Sequence, residues 1–504
     1  MDATPMHRRR RLLAAACAVI AALALAWGLP RVVATAHAKS PIRYMAATAQ
    51  AKTPIRHVVV IYLENHSFDN VLGFWCDQHP GRCPNGGMPA SVALSNGARV
   101  RPSTTPDVVP QVRHQTGDQA AAIDRGRMDG WWRIPGCGAP AYTCISGYRP
   151  SHIPNTTTLA QDFAISDATF SMQNSPSFFG HLYSIAASTD GFTGNNPSVS
   201  SRPGNGWGCD SGKTTTWAAF PGGPLHRVPT CVPDPALSGP RGRPLANGGA
   251  AAPTPVGHVP TILDRLNNAR LTWRIYGANC TVEAVNAQGL DTCKQSNGQY
   301  AWAVCPSFAE YLYTAQCNGK LNAAGDGLVP DNEFTVDARG GNLPAFSLVT
   351  AGNFKTSEHN GSSMTAGDNW LGHLVSAAEN GPEWRSTAIF ITWDDCGCFY
   401  DQMSPGSNPD GTKQGPRVPL IIVSPYAKAG YTDTRATTFA GILAYTENTF
   451  GLAPLNVNDT RAYPFTNAFN YAQAPLRPAM MITRRLPPAA RHIHLTPAQL
   501  HDPS

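Results

Sequence analysis

The sequence predicts an α/β fold: a mostly parallel sheet covered by helices on both faces, with loop-rich insertions pinned by disulfides. Three observations predict it. Short β-branched runs such as Val58 to Leu63 lack the alternation of a half-exposed strand and suit strands buried on both sides. Stretches with helical spacing lie between and after these runs, the pattern of parallel strands joined by crossover helices. The 46 glycines and 44 prolines among 504 residues call for many turns and irregular connections.

The first strand, Val58–Leu63, lies in "RHVVVIYLENHSFDNVLG" and stops at Glu64-Asn65. Further buried strands are "PAFSLV" (Pro344–Val349), "STAIFITW" (Ser386–Trp393) and "RVPLIIV" (Arg417–Val423), with "LTWRIYG" (Leu271–Gly277) as a fifth. Leu371, Leu374, Val375 and Ala378 repeat at i, i+3, i+4 and i+7, as do Phe439, Ile442, Leu443 and Thr446, and predict two helices. "HVPTILDRLNNAR" predicts a short helix ahead of the fifth strand. Residues 195–257 are dense in Gly, Pro, Ser and Asn and read as an irregular insertion. The tail, 474–504, is rich in Pro and Arg and reads as loosely ordered. That leaves 55–473 as one folded domain, preceded by an extension, 39–54.

Residues 1–38 read as an export signal. "HRRRR" is a basic leader, "LLAAACAVIAALALAWGL" an apolar core, and "AHA" a small-x-small cleavage site before Lys39. The 18-residue core also allows an uncleaved membrane anchor. Arg9-Arg10 with Leu12-Leu13 loosely resembles a twin-arginine signal. The expected location is therefore periplasmic or extracellular. The leader's five arginines and Asp2 account for +4 of the formal +6, so the remainder carries about +2. No nucleic-acid groove is suggested by that balance, and no stable protein partner is evident.

Thirteen cysteines, twelve without Cys17, fit an oxidising compartment. Neighbour pairing would join Cys76 to Cys83, Cys137 to Cys144, Cys209 to Cys231, Cys280 to Cys293 and Cys305 to Cys317. Cys396 and Cys398, in "DDCGCF", remain. A local disulfide there is the reading preferred, against a free pair or a soft-metal site, although a Cys-Gly-Cys bridge is strained.

Ligands of open α/β sheets bind beyond the carboxyl ends of the strands. Glu64 and Asn65 follow the first strand, Asp394 and Asp395 follow "STAIFITW", and Glu358 and His359 follow "PAFSLV" after a short loop. Clustered carboxylates repel unless a cation compensates them. A divalent metal ion explains the cluster, and oxygen ligands favour Ca²⁺, Mg²⁺ or Mn²⁺. The bland alternative has these acids capping helices or pairing with arginines. Ser177, in "NSPSFFGHLY", precedes a predicted helix whose dipole and free amides favour an alkoxide or a phosphate. On that stretch alone an N-cap serine is the competing reading. No G-x-S-x-G elbow or H-E-x-x-H occurs, and "GWGCDSGKT" misses phosphate-loop spacing.

"ENHSFDNVLG" resembles the E-N-R-S-F-D-x-x-x-G signature of the bacterial phosphoesterase family that unites phospholipases C and metal-dependent acid phosphatases. "TLAQDFAISDATF", "SPSFFGHLY", "SEH", "ITWDDCGCFYDQMSP" and "GPRVPLIIVSPYAKAGY" follow in the family's order. The resemblance implies an alkaline-phosphatase-like core. It implies that Glu64, Asn65, Asp394 and Asp395 hold the metal, with Ser177 as nucleophile bridging metal and substrate. His359 and, by a looser match, His114 would contact the phosphoryl group, and His359 would protonate the leaving oxygen. The chain departs from the family at "CGC" for W-G-G, at Gln402 and Phe439 for histidines, and near Cys305, where an H-N-P-F histidine is missing. The function expected is an exported metal-dependent phosphoric ester hydrolase with a phosphoserine intermediate. Ser at the nucleophile leans it toward acid phosphatase. Phospholipase C cleaving lipid head groups is the alternative, and an exported non-catalytic phosphate-ester binding protein is the non-enzyme reading. A sulfatase is disfavoured because no C/S-x-P-x-R motif is present.

Overall fold

The computed structural model describes residues 53–198, 213–229, 259–277, 279–285, 291–296, 326–352 and 354–493. The export signal and Cys209, Cys231, Cys305 and Cys317 lie outside these residues, and the side chains of Cys280 and Cys293 are likewise not described.

Eleven strands frame the fold: β1 (His57–Leu63), β2 (Ala164–Ser166), β3 (Phe192–Ser198), β4 (Thr214–Trp217), β5 (His226–Pro229), β6 (Trp273–Gly277), β7 (Gly327–Pro330), β8 (Phe346–Thr350), β9 (Thr387–Trp393), β10 (Leu420–Val423) and β11 (Thr432–Asp433). Eight form the main sheet in the order β7–β6–β8–β1–β9–β10–β2–β11. All five strands expected from the sequence are present, each starting or ending within three residues of its reading. The apolar runs are buried end to end in β8, β9 and β10, so both faces of the sheet are covered. Pairing is parallel from β7 through β9, while β10 runs antiparallel to both β9 and β2. That reversal sends the start of "RVPLIIV" to the rim where β1 and β9 end.

The helices that matter below are α1 (Phe68–Gln78), α2 (Pro154–Asp162), α3 (Ser177–Ala186), α4 (Ile262–Asn268), α5 (Met364–Glu379) and α6 (Ala440–Phe450). Ser67 caps α1 by accepting from Asn70 N–H, and a Thr261–Asp264 capping box opens α4. The spacing Leu371, Leu374, Val375 and Ala378 forms the buried face of α5, as expected. Among the described residues no helix is long and apolar enough to cross a membrane.

Two expectations change. The insertion 195–257 is not wholly irregular, because its described part joins β3, β4 and β5 into an antiparallel sheet. Residues 474–493 are tied down rather than loose. Ala479 N–H donates to Glu379, Ile482 N–H to Asn155 on α2, and Arg484 N–H to Asn369, at 3.1, 2.8 and 2.8 Å. Backbone donors satisfied by side chains of α2 and α5 fix the tail despite its polar composition.

Disulfides join Cys76 to Cys83 and Cys137 to Cys144, as the spacing suggested. The second belongs to a satellite core with Trp131, Ile145 and Phe399, separate from the core around the sheet. Cys396 and Cys398 are buried in that same satellite as free thiols, their sulfurs 3.6 Å apart. This corrects the expected local disulfide: the turn carries Gly397 and Cys398 at φ values of 51° and keeps the thiols in contact without a bond.

Candidate active site

Three neighbouring strands, β8, β1 and β9, build the rim. Leu63 pairs with Trp393 at the ends of β1 and β9, so the next residues, Glu64-Asn65 and Asp394-Asp395, emerge side by side. Asp394 N–H donates to the Leu63 carbonyl at 3.0 Å, and Asn65 N–H donates to Asp394 Oδ1 at 2.8 Å. The loop after β8 comes alongside where Glu64 N–H donates to the Ser357 carbonyl at 3.2 Å. Asn65 has a φ of 60°, a left-handed conformation that Asn tolerates. Gly397 makes the tight return possible: a Cβ there would lie 2.1 Å from the Asn65 carbonyl oxygen.

Ser177 is the first residue of α3, after Pro176, and is not an N-cap. Its Oγ turns to the strand ends, 3.1 Å from Asn65 Oδ1 and 3.4 Å from Asp395 Oδ2. Helix α3 approaches this closely because Gly180 packs on Asp394, where a Cβ would stand 3.0 Å from the Asp394 carbonyl oxygen. Glu64, Asn65, Ser177, Asp394 and Asp395 are all buried to 1% exposure or less. Every predicted ligand therefore meets at one point.

Burial, then the neighbouring Asp394 charge, holds the Glu64 carboxyl well above the usual range, and the same two causes in the same order act on Asp395. Among the described residues no arginine pairs with either of them. Glu64 Oε1 lies 2.9 Å from His181 Nε2, while its Oε2 has no hydrogen-bond partner among the described residues. Glu64, His181 and Asp394 offer ligand atoms within 4.8 Å of one another. An orphaned carboxylate oxygen beside converging oxygen atoms fits a bound cation, and the capping reading of these acids fails. The nitrogen of His181 widens the suitable ions from Ca²⁺, Mg²⁺ and Mn²⁺ toward borderline ones such as Zn²⁺.

Both predicted histidines reach the site, their rings 5.9 Å apart. His359 Nδ1 lies 3.0 Å from the Asn360 carbonyl, and His114 Nδ1 lies 3.2 Å from that of Val112. Burial pushes His359 down to about 3, helped by His114, and burial also lowers His114. His114 Nε2 has no partner among the described residues. It borders a cavity of about 290 Å³ shared with His359, Asn196, Asn360, Gln111 and Pro176. Asn196, on β3, accepts from Phe178 N–H at 3.0 Å and so caps the start of α3. Glu358 turns away, accepting from the Trp393 indole at 2.9 Å.

Sequence reasoning missed His181 and Tyr62. His181 sits four residues beyond Ser177 on one helix, a spacing that puts both on the same face. Tyr62 precedes Glu64 by two residues, the period of one strand face. Its hydroxyl is buried without a hydrogen-bond partner among the described residues, and its ring meets His181 and Phe439 edge-on at 5.1 and 5.3 Å. Phe439 thus supports the site from behind. Gln402 is engaged elsewhere, bonding Asp69 and the Gly87 carbonyl.

A sequence model of the Phosphoesterase family matches residues 55–453. Among curated proteins, a non-hemolytic phospholipase C of Pseudomonas aeruginosa is 27% identical over 171 residues, covering 27% of this chain and 25% of that protein. One from Burkholderia pseudomallei is 24% identical over 265 residues, covering 42% and 36% respectively. Non-specific phospholipase C1 of Arabidopsis thaliana is 28% identical over 119 residues, covering 19% and 22%. The aligned stretches thus span about a quarter to a third of these relatives' lengths. A solved alkaline phosphatase superfamily protein from Vibrio parahaemolyticus has a TM-score of 0.34 at 14% identity, covering 82% of this chain and 71% of that one.

Proposed function

The chain belongs to the Phosphoesterase family, and from that premise we propose that it is an exported, metal-dependent phosphoric ester hydrolase working through Ser177. The observation that carries this is the position of the Ser177 hydroxyl at the start of a helix. It lies 3.1 Å from Asn65 Oδ1 and 3.4 Å from Asp395 Oδ2, inside a buried cluster of acids. Glu64, Asn65, Asp394 and Asp395 would hold the cation, with Ser177 beside it. When bound, the cation supplies charge compensation for the phosphoryl group and favours the ionised serine.

Ser177 Oγ attacks phosphorus, a bond to the serine forms as the ester bond breaks, and the alcohol leaves with a proton. Water then cleaves the phosphoserine to free phosphate or phosphomonoester and restores the hydroxyl. Asp395, within reach of Oγ, takes the serine proton. His114 borders the cavity with Nε2 unpartnered among the described residues. Burial disfavours its protonated form, but the negative phosphoryl group beside it would favour that form, and the ring then delivers a proton to the leaving oxygen. Burial keeps bulk water out and strengthens each of these interactions.

The reading leans to phosphomonoesters because the cavity bordering His114, at about 290 Å³, suits a small polar alcohol. Phospholipase C is the second reading, supported by the names of the curated relatives. Parallel assays with p-nitrophenyl phosphate and phosphatidylcholine, before and after chelation, separate the two. We expect chelator-sensitive hydrolysis of the small ester, and loss of at least ~10³-fold in kcat for Ser177→Ala. Turnover confined to the lipid reverses the order, and turnover untouched by Ser177→Ala removes the mechanism.

A further inference from the structure

The Asn65 amide lies between two environments that want opposite things. At its Oδ1 end are Ser177 Oγ at 3.1 Å and two carboxylate oxygens, Asp394 Oδ1 and Asp395 Oδ1, each at 3.2 Å. The Ser177 hydroxyl donates to Oδ1, but ionised carboxylates only accept, so the two aspartate oxygens at this range repel it unless a cation lies among them. At the other end His359 Nε2 stands 2.8 Å away.

The far side of the His359 ring decides what that nitrogen can do. His359 Nδ1 is 3.0 Å from the Asn360 carbonyl, which only accepts. A neutral ring therefore carries its proton on Nδ1 and presents a lone pair at Nε2. Asn360 is itself fixed, since its Nδ2 donates to the Val112 carbonyl at 2.6 Å and its carbonyl also accepts from Gln111 Nε2 at 3.1 Å. A lone pair at Nε2 calls for the N–H end of the Asn65 amide, and that sends the amide oxygen to the acids.

We propose that His359 is a positioning residue: through the chain Asn360 carbonyl, His359, Asn65 amide, it aims Asn65 Oδ1 at the cation. This rests on the metal-dependent reading above. The same heavy atoms support a second arrangement. With the amide reversed, its two N–H groups face Ser177 and the two aspartates, but its oxygen then needs a proton on His359 Nε2, which leaves the Nδ1 lone pair of a neutral ring against the Asn360 carbonyl. The Asn360 carbonyl therefore favours the first arrangement, and a bound cation beside Oδ1 would reinforce it. Leaving-group protonation then rests on His114.

The test measures Mn²⁺ binding by titration calorimetry in the wild-type protein, His359→Ala and His359→Gln, with folding checked by circular dichroism. Orienting partners of metal ligands typically contribute ~10–100-fold in metal affinity. We expect His359→Ala to weaken binding by that factor. We expect His359→Gln, whose amide oxygen can accept from Asn65, to recover most of it. In ¹⁵N-histidine spectra the loaded wild-type protein should show His359 protonated on Nδ1 alone. His359→Ala binding Mn²⁺ as tightly as wild type while losing turnover assigns the ring to leaving-group protonation and overturns the proposal, as does a loaded ring protonated on Nε2. Should wild type bind no divalent cation, the metal-dependent reading itself falls and takes this proposal with it.

Discussion

His66, next to the cluster, shows how one buried ring sets an acid limit. Its Nδ1 meets Asn70 Oδ1 at 2.8 Å and its Nε2 meets the Glu358 carbonyl at 3.0 Å. Burial holds it down to about 4. The folded protein keeps this ring neutral while the unfolded chain protonates it near the ordinary 6.5. Its contribution is therefore complete above about pH 6.5 and is lost as pH falls toward 4, with an upper size of roughly 3 kcal/mol. His66→Gln should flatten the acid limb of urea unfolding between those values. Parallel limbs for both proteins would assign the acid sensitivity elsewhere. Gly397 is the second sensitive residue. Ala at a left-handed φ costs about 1–2 kcal/mol before any clash, and here its Cβ would drive into the Asn65 carbonyl. Gly397→Ala should lower the melting temperature and weaken cation binding together. Glu64, Asn65, Asp394 and Asp395 were legible because they stop apolar runs. His181 was not, because an imidazole inside "SPSFFGHLY" looks like any helix residue until Glu64 is known to face it.

Strand order was the part of the architecture least visible in the sequence. Apolar runs mark strands but carry no direction, and β10 is the one that reverses between β9 and β2. Its entry has a physical purpose. Arg417, just ahead of β10, is fully buried and reaches Asp401 at 3.1 Å, Asp69 at 2.7 Å and the Asp167 carbonyl at 2.9 Å. Those partners come from the segment after Asp395, from α1 and from the segment after β2, so one guanidinium ties three parts of the rim. Burial, then Asp401, lifts Asp69 to about 8 against the pull of Arg417. Arg417→Met would strand two carboxylates in the core at a cost of about 3–5 kcal/mol. Equilibrium unfolding should show that loss, and a change under 1 kcal/mol would mean water reaches the triad. The blocks "SFD", "YD" and "GPR" thus hold the rim together rather than act on substrate, a distinction that motif order alone could not draw.

Across the whole molecule, cation binding at the buried acids, as proposed, would make loading and stability one property. Without a cation, Glu64 and Asp395 have raised pKa values, so their contribution is greatest below the ordinary carboxylate range and is lost as pH rises. A bound cation prefers them ionised and reverses that slope. The melting-temperature gap between loaded and chelated protein should therefore widen from about pH 5 to about pH 8. At a hundredfold excess over Kd the loaded form gains ~2.7 kcal/mol. A gap that narrows with pH would place the cation outside this cluster.

Asn65 and Asp394 are 329 positions apart, and Ser177 and Asp395 are 218 apart, yet each pair is in hydrogen-bond contact. No contiguous fragment that omits either β1 or β9 carries all the residues proposed to hold the cation. In refolding, ion capture must trail closure of the central strands, since such distant segments meet late. A chain severed in the surface loops between them would recover its ion only when the two halves reassemble, which makes ion uptake a direct reporter of fragment complementation.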